Sequence, residues 1–355
     1  MVIWLYAILS SPIQTNQILL IGSISISQIL IILDMILLIF YLFLCPTYGT
    51  ESAGGLSFLN IPASSLSTSL GNTITSDMGS PSAILQNPAN IWQYPRWSFI
   101  FNYKSQNSGL GSNYMNTFIG YRRKQLSICT GFISYGVSKI EQYDEEAHFV
   151  NYFDFLNYAI PVGISLKTSH FLWGIGANYI GQRFTKMDYD KESFLGFDVG
   201  VSVIELLSKY DQVDITVSYV NKMIYSVNEK NFVSTAFGNS IFGCKVEIYN
   251  WLAIHTDFVF NSGTEIKNMR LGGQAYWRVK NVKLALNAGY NKVPIGSPNG
   301  INYTEYLKYS GKKSLGGFIE FPIPRANNAS VQFAFSYELH PIFNNARYFS
   351  ISFSI

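Results

Sequence analysis

The 355-residue chain has four histidines, His148, His170, His255 and His340. Of these, His255 stands at a chemically useful spacing from a carboxylate. Asp257 lies two residues on, in a segment that alternates apolar and polar, so both side chains fall on one face of a strand. A His–Asp pair among plentiful serines is raw material for a serine hydrolase, which also needs an aligned nucleophile and an oxyanion hole. No serine sits in a recognisable nucleophile context, and the pair reads better as part of a polar inner wall. Glu141, Asp144, Glu145 and Glu146 form an acidic patch that could bind a cation or a partner, although most such runs are simply solvated. Cys45, Cys129 and Cys244 lack metal-ligand spacing; Cys45 is expected to leave with a leader, and the remaining two read as free thiols rather than a disulfide. No phosphate loop or dinucleotide fingerprint occurs. The expectation is no enzymatic activity, no cofactor and no metal.

The elements that carry these residues are strands. Phe349, Ile351, Phe353 and Ile355 alternate with Ser350, Ser352 and Ser354. Val331, Phe333, Phe335 and Tyr337 alternate with Gln332, Ala334, Ser336 and Glu338. One greasy face and one small-polar face, repeated along the chain, fit a closed barrel with lipid outside. Composition agrees: 13% charged residues, 16% aromatics, and a mean hydropathy of +0.14, too low for a bundle of membrane helices. A net charge of +3 gives no reason to expect nucleic acid.

From Trp97 onward about 14 strands can be placed, an even number as single-chain bacterial barrels require. Middling or long loops are expected after odd strands, at 105–113, 138–155, 182–193, 223–238, 262–269, 292–312 and 340–346. Mostly tight turns follow even strands, such as Lys124-Gln125, Lys167–His170, Asn250 and Lys280. That parity is the rule for outer-membrane barrels of Gram-negative bacteria and puts both termini in the periplasm. Val282, Leu284, Leu286 and Tyr290 are expected to face lipid, with Lys283, Asn287, Asn291, Lys245 and Glu247 facing in. Trp92, Trp97, Trp173, Trp251 and Trp277 fit an aromatic girdle.

Residues 1–49 read as a leader. They are rich in Ile and Leu and carry one charge, Asp34, and no Lys or Arg. An apolar core at Met35–Leu44 and a passable cleavage site at Thr47-Tyr48-Gly49 suit a secretory signal starting at Met35; the rival is an uncleaved helix over Ile18–Leu44, long enough to span a bilayer. Leu44 argues against a lipoprotein at Cys45. Residues 50–95 read as a plug in the lumen, with short helices expected at Ala63–Leu70 and Pro81–Gln86, and residues 96–355 as the transmembrane barrel. The fold class is thus all-β: a monomeric transmembrane antiparallel β-barrel with a small N-terminal plug.

Three motifs in the plug carry a resemblance. Phe58-Leu59-Asn60-Ile61-Pro62, then Ser65-Leu66-Ser67-Thr68-Ser69-Leu70-Gly71, then Asn87-Pro88-Ala89 are similar to the N-terminal region of the PorQ family of the type IX secretion system. The Asn-Pro-Ala feature is shared with PorV proteins and the FadL-like transporters. Tyr135-Gly136, Asp144-Glu145 and Phe153-Asp154 resemble the region after strand three in that family. Asn72 departs from it, standing where a second glycine is common. The resemblance implies a 14-strand outer-membrane barrel of the FadL-like superfamily that holds a PorZ-like surface protein beside the PorU–PorV sortase. The alternative is a FadL-like channel for hydrophobic compounds. Asn87 and Pro88 are expected to fix how the plug enters the barrel, with an asparagine capping the preceding short helix. Tyr143, Asp144, Glu145, Phe153 and Asp154 mark the candidate partner loop, and loops 223–238 and 292–312, with Tyr225, Phe232, Tyr303 and Tyr306, share its character.

Overall fold

The computed structural model describes residues 61–77, 79–93, 96–106, 112–144, 146–185, 192–205, 213–228, 231–260, 266–293, 311–324, 329–339 and 345–355. Fourteen antiparallel strands form one closed barrel in which each pairs with its sequence neighbours and β1 meets β14. They are β1 (Trp97–Gln106), β2 (Ser112–Arg123), β3 (Leu126–Tyr143), β4 (Phe149–Thr168), β5 (Phe171–Thr185), β6 (Glu192–Val203) and β7 (Val213–Asn228). The second half comprises β8 (Asn231–Ile248), β9 (Leu252–Phe260), β10 (Ile266–Val279), β11 (Val282–Val293), β12 (Lys312–Pro322), β13 (Ser330–Leu339) and β14 (Ala346–Ser354). At the closing seam Trp97 and Ile355 exchange two backbone hydrogen bonds of 2.9 Å.

The period of two sets the faces. Along β4, Asn157, Ala159, Pro161, Gly163 and Ser165 are buried, whereas Ile160, Val162, Ile164 and Leu166 are exposed. Ile175, Leu286 and Leu315 on the outer register are 65%, 64% and 57% exposed, an apolar surface that only lipid tolerates. Trp97, Trp173, Trp251 and Trp277 are also exposed, and all lie at the barrel end that carries the start of β1 and the end of β14. Trp92 does not join this girdle. It belongs to the segment inside the barrel, where its indole Nε1 donates to the Lys124 carbonyl at 3.2 Å.

Two expected loops are largely strand. β3 and β4 run on through most of 138–155, and β7 and β8 through most of 223–238. Bulges break the alternation there. Register shifts fall between Val137 and Ile140 and between Gln142 and Tyr143, and Lys139 has φ +60°. Each bulge exchanges the two faces, so a strictly alternating reading loses the strand. Between Val293 and Gly311, and at Phe58, Leu59 and the whole of 1–60, the sequence expectations lie outside the described residues.

Candidate functional site: an N-terminal segment packed in the lumen

Residues 61–93 pack inside the barrel. Helix α1 (Ser65–Ser69) is shorter than expected, because Ser64 already has extended backbone and caps it, its Oγ accepting from the Ser67 N–H at 3.1 Å. Two short 3-10 turns follow, Pro81–Leu85 and Pro88–Gln93. Small and hydroxylated residues let α1 lie against the wall. Ser65 N–H donates to Ser350 Oγ at 2.8 Å, Asn287 Nδ2 to Ser69 Oγ at 2.9 Å, and Ser314 Oγ to the Ser69 carbonyl at 3.3 Å.

Gly71 and Asn72 follow the helix with φ +67° and +64°. Gly71 approaches so closely that a Cβ there would overlap the Tyr290 backbone, and one on Gly289 would overlap Gly71. Asparagine is among the few residues that adopt this left-handed backbone readily, so Asn72 can stand where a glycine would. Its Oδ1 accepts from Ser67 Oγ at 2.7 Å and from Gln86 Nε2 at 3.1 Å, tying the two halves of the plug together.

Asn87 holds the second half. Its Nδ2 donates to the Thr75 carbonyl and to Ser202 Oγ, both at 3.1 Å, and its Oδ1 accepts from the Ala89 N–H at 3.1 Å. It therefore caps the turn that follows, not the helix before it, because Pro88 cannot donate and its fixed φ starts that turn. Asn90 repeats the grip: Nδ2 donates to the Thr75 carbonyl at 2.6 Å, and Oδ1 accepts from Ser202 Oγ at 2.6 Å. The Ala89 carbonyl accepts from Ser165 Oγ at 2.7 Å. Gly174 is required beneath it, since a Cβ would overlap the Pro88–Ala89 peptide. Pro62, also singled out by sequence, is buried at the start of the segment.

The His–Asp pair lies in this interface. His255 and Asp257 face inward on β9 and are buried. Asp257 Oδ2 accepts from the Thr75 hydroxyl at 2.7 Å and its N–H at 3.3 Å, and Arg270 stands opposite on β10, donating to the Asn72 carbonyl at 3.2 Å. Asp257 is thus committed to the plug. Neither ring nitrogen of His255 has a hydrogen-bond partner among the described residues, so no described hydroxyl is placed as a nucleophile against it. Lys245 joins the cluster, 3.7 Å from Asp77 of the plug and 3.1 Å from Glu247. Lys222 on β7 donates to the Leu85 carbonyl. Among the described residues no group of three or more His, Cys, Asp or Glu is placed to hold a metal ion.

The opposite wall is of another kind. Between the rims, the inner faces of β2–β5 carry no charge. Phe118, Ile133, Ala159 and Ile180 pack there against Ile84, Leu85 and Ile91 of the plug, and Phe194 and Ile224 extend this apolar cluster onto β6 and β7.

The acidic candidate loop is a two-stranded hairpin. β2 pairs with β3 as far as Val137, and β5 with β4 as far as Asp154, so the hairpin tip continues past both neighbours. Asp144 organises the tip: Oδ1 accepts from the Glu146 and His148 N–H groups at 3.0 and 2.8 Å, and His148 Nδ1 lies 3.4 Å from Oδ2. Asp154 accepts from the Lys139 N–H at 3.0 Å and so fixes the bulge. Phe153 lies 6.3 Å from the Phe184 ring. Tyr143, Phe149 and Tyr152 are exposed and in ring contact. Glu145 lies outside the described residues.

No protein family and no curated protein matches this chain. Solved structures do. The CymD monoaromatic hydrocarbon channel superposes with a TM-score of 0.54 over 82% of this chain and 97% of its own, at 9% identity. The deltaS2S3 mutant of the monoaromatic hydrocarbon channel TodX gives 0.51 over 82% and 97%, at 10% identity. At such identity the likeness is one of fold: this chain shares the closed 14-strand barrel.

Proposed function

We propose that this chain is a non-enzymatic outer-membrane barrel that passes a small apolar compound, with the plug as the part that must shift. The observation that carries this reading is the uncharged inner wall of β2–β5. A lumen that passes water or ions has no use for Phe118, Ile133 and Ile180 facing in, whereas an apolar solute needs such a track. The likeness in fold to hydrocarbon channels supports the same reading, and so the channel is preferred here to the secretion role that the motif resemblance implies. The barrel sits with both ends of its sheet in the periplasm, an orientation supported by the two-residue turns at 124–125, 169–170 and 280–281.

Deleting the gene should lower uptake of an apolar substrate such as a monoaromatic hydrocarbon and leave protein secretion normal. Phe118→Arg, which puts a charge on the track, should reproduce the uptake defect while the barrel still migrates in heat-modifiable form. Unchanged uptake in both strains would end this reading.

A second reading has one observation in its favour. The β3–β4 hairpin is pre-organised and presents Tyr143, Phe149 and Tyr152 to solvent, as a docking element would. Under it the barrel scaffolds a PorZ-like surface protein, beside a PorU–PorV pair, for type IX secretion. Shortening the hairpin between Val137 and Asp154 should then release that partner from the cell surface with the barrel intact.

A further inference from the structure

We propose that the outer face of β1–β4, at the end carrying the start of β1 and the end of β14, binds one anionic glycerophospholipid. Two independent features meet there. The first is an apolar groove of about 300 Å³ lined by Trp97, Ile119, Tyr121, Ile128, Thr130 and Val162. Trp97 and Tyr121 are cross-strand partners with ring centroids 4.5 Å apart, so two girdle aromatics form one side of it. Thr130 spends its hydroxyl inside the wall, donating to the Pro161 carbonyl at 3.0 Å, and the groove gains no polar demand from it.

The second feature is a cluster of cations at the foot of the groove. The Arg96 guanidinium lies 6.0 Å from the centre of the Tyr121 ring. Arg123 is two residues beyond Tyr121 on the same outward register, and Lys124 begins the turn. All three are exposed, and none forms an ion pair with a carboxylate among the described residues. The inward cations beside them are already engaged: Arg122 and Lys167 lie 5.1 and 4.4 Å from the Trp92 ring of the plug. At a strand rise of about 3.3 Å per residue, Arg123 lies roughly 7 and 13 Å along the strand from Tyr121 and Ile119, toward the barrel end.

The order along the membrane normal is therefore apolar slot, aromatic pair, cations. A glycerophospholipid has the same order: acyl chain, glycerol ester, phosphate. Three positive charges that form no ion pair among the described residues, at headgroup depth, favour a net-negative headgroup over a zwitterionic one. The occupant is assigned to the phospholipid leaflet on the periplasmic orientation proposed above; the site does not depend on what the lumen passes.

The test uses the full-length folded barrel in nanodiscs of phosphatidylethanolamine containing a minority of phosphatidylglycerol, released into native mass spectrometry. Wild type should retain phosphatidylglycerol. R96Q/R123Q/K124Q should lower retention about a hundredfold, and R123Q alone about fivefold, which serves if the triple variant fails the heat-modifiability check. Thr130→Trp, which fills the groove and keeps every cation, should also lose the lipid. Retention unaltered in these variants overturns the proposal. So does displacement of the lipid by inorganic phosphate, which would reduce the site to its cations, or preferential retention of phosphatidylethanolamine.

Discussion

The two inner walls of the barrel hold the same plug by different physics. β8–β10 meet it with Lys245, Asp257 and Arg270, each facing a plug group of defined geometry. β2–β5 press Phe118, Ile133 and Ile180 on Ile84, Leu85 and Ile91, and the hydrogen bonds they add, from Asn116 to the Ala63 carbonyl and from Ser165 to the Ala89 carbonyl, involve no charged group. A charged, hydrogen-bonded contact penalises any displacement that leaves a buried group unpaired. An apolar contact loses free energy in proportion to area, and another apolar body can restore it. On the channel function proposed above, the charged wall would act as the hinge and the apolar wall as the side that yields to the solute.

Three substitutions test that division, from the largest expected effect down. Asp257→Ala strips the acceptor from Thr75 and leaves Arg270 uncompensated in a buried position, at about 3–5 kcal/mol. Guanidinium unfolding of the refolded barrel should show the loss, and single-barrel recordings should show a plug that no longer reseats. Ile84→Ala removes apolar volume where the plug packs over Gly163, at about 2–4 kcal/mol. Its distinguishing result is rescue: a bound monoaromatic hydrocarbon should restore stability to Ile84→Ala and not to Asp257→Ala, and equal rescue would erase the difference between the walls. Asn87→Ala loses its bonds to Thr75, Ser202 and Ala89, at about 1–3 kcal/mol. Limited proteolysis should then cut first between Thr75 and Asn90, with α1 still protected by Ser350 and Asn287; simultaneous cleavage on both sides would mean that the plug moves as one piece.

Much of the barrel is legible in the sequence because a strand with unlike faces writes a period of two, and lipid keeps the outer register predominantly apolar. Thus β13 and β14 can be read from Val331–Tyr337 and Phe349–Ile355 alone. The β3–β4 tip is not legible, because bulges at Lys139 and Gln142 break the period while its strands continue into water. The plug shows the same split. Asn87-Pro88-Ala89 and Gly71 stand out as turn chemistry, and the structure places them where backbones nearly touch. Their wall partners give no signal: Gly174 and Gly289 look like any glycine in a strand, and Ser202 like any lumen serine. Only the three-dimensional pairing of segments more than 80 residues apart gives them a role. His255 and Asp257 read as polar inner wall from sequence, but Thr75, which binds Asp257 from 182 residues away, gives no signal there.

The contact between Ser65 and Ser350 spans 285 positions of the chain. Such a bond cannot form until nearly all the intervening polypeptide has been made and delivered. Strand pairing between neighbours needs no such wait. The cylinder can therefore zip up hairpin by hairpin, while its contents take their final register only when β14 arrives beside β1. The last strand is at once the door of the barrel and one of the walls its contents lean on. Assembly machinery that holds this seam open would keep the interior loose, and letting go would lock shell and filling in a single step.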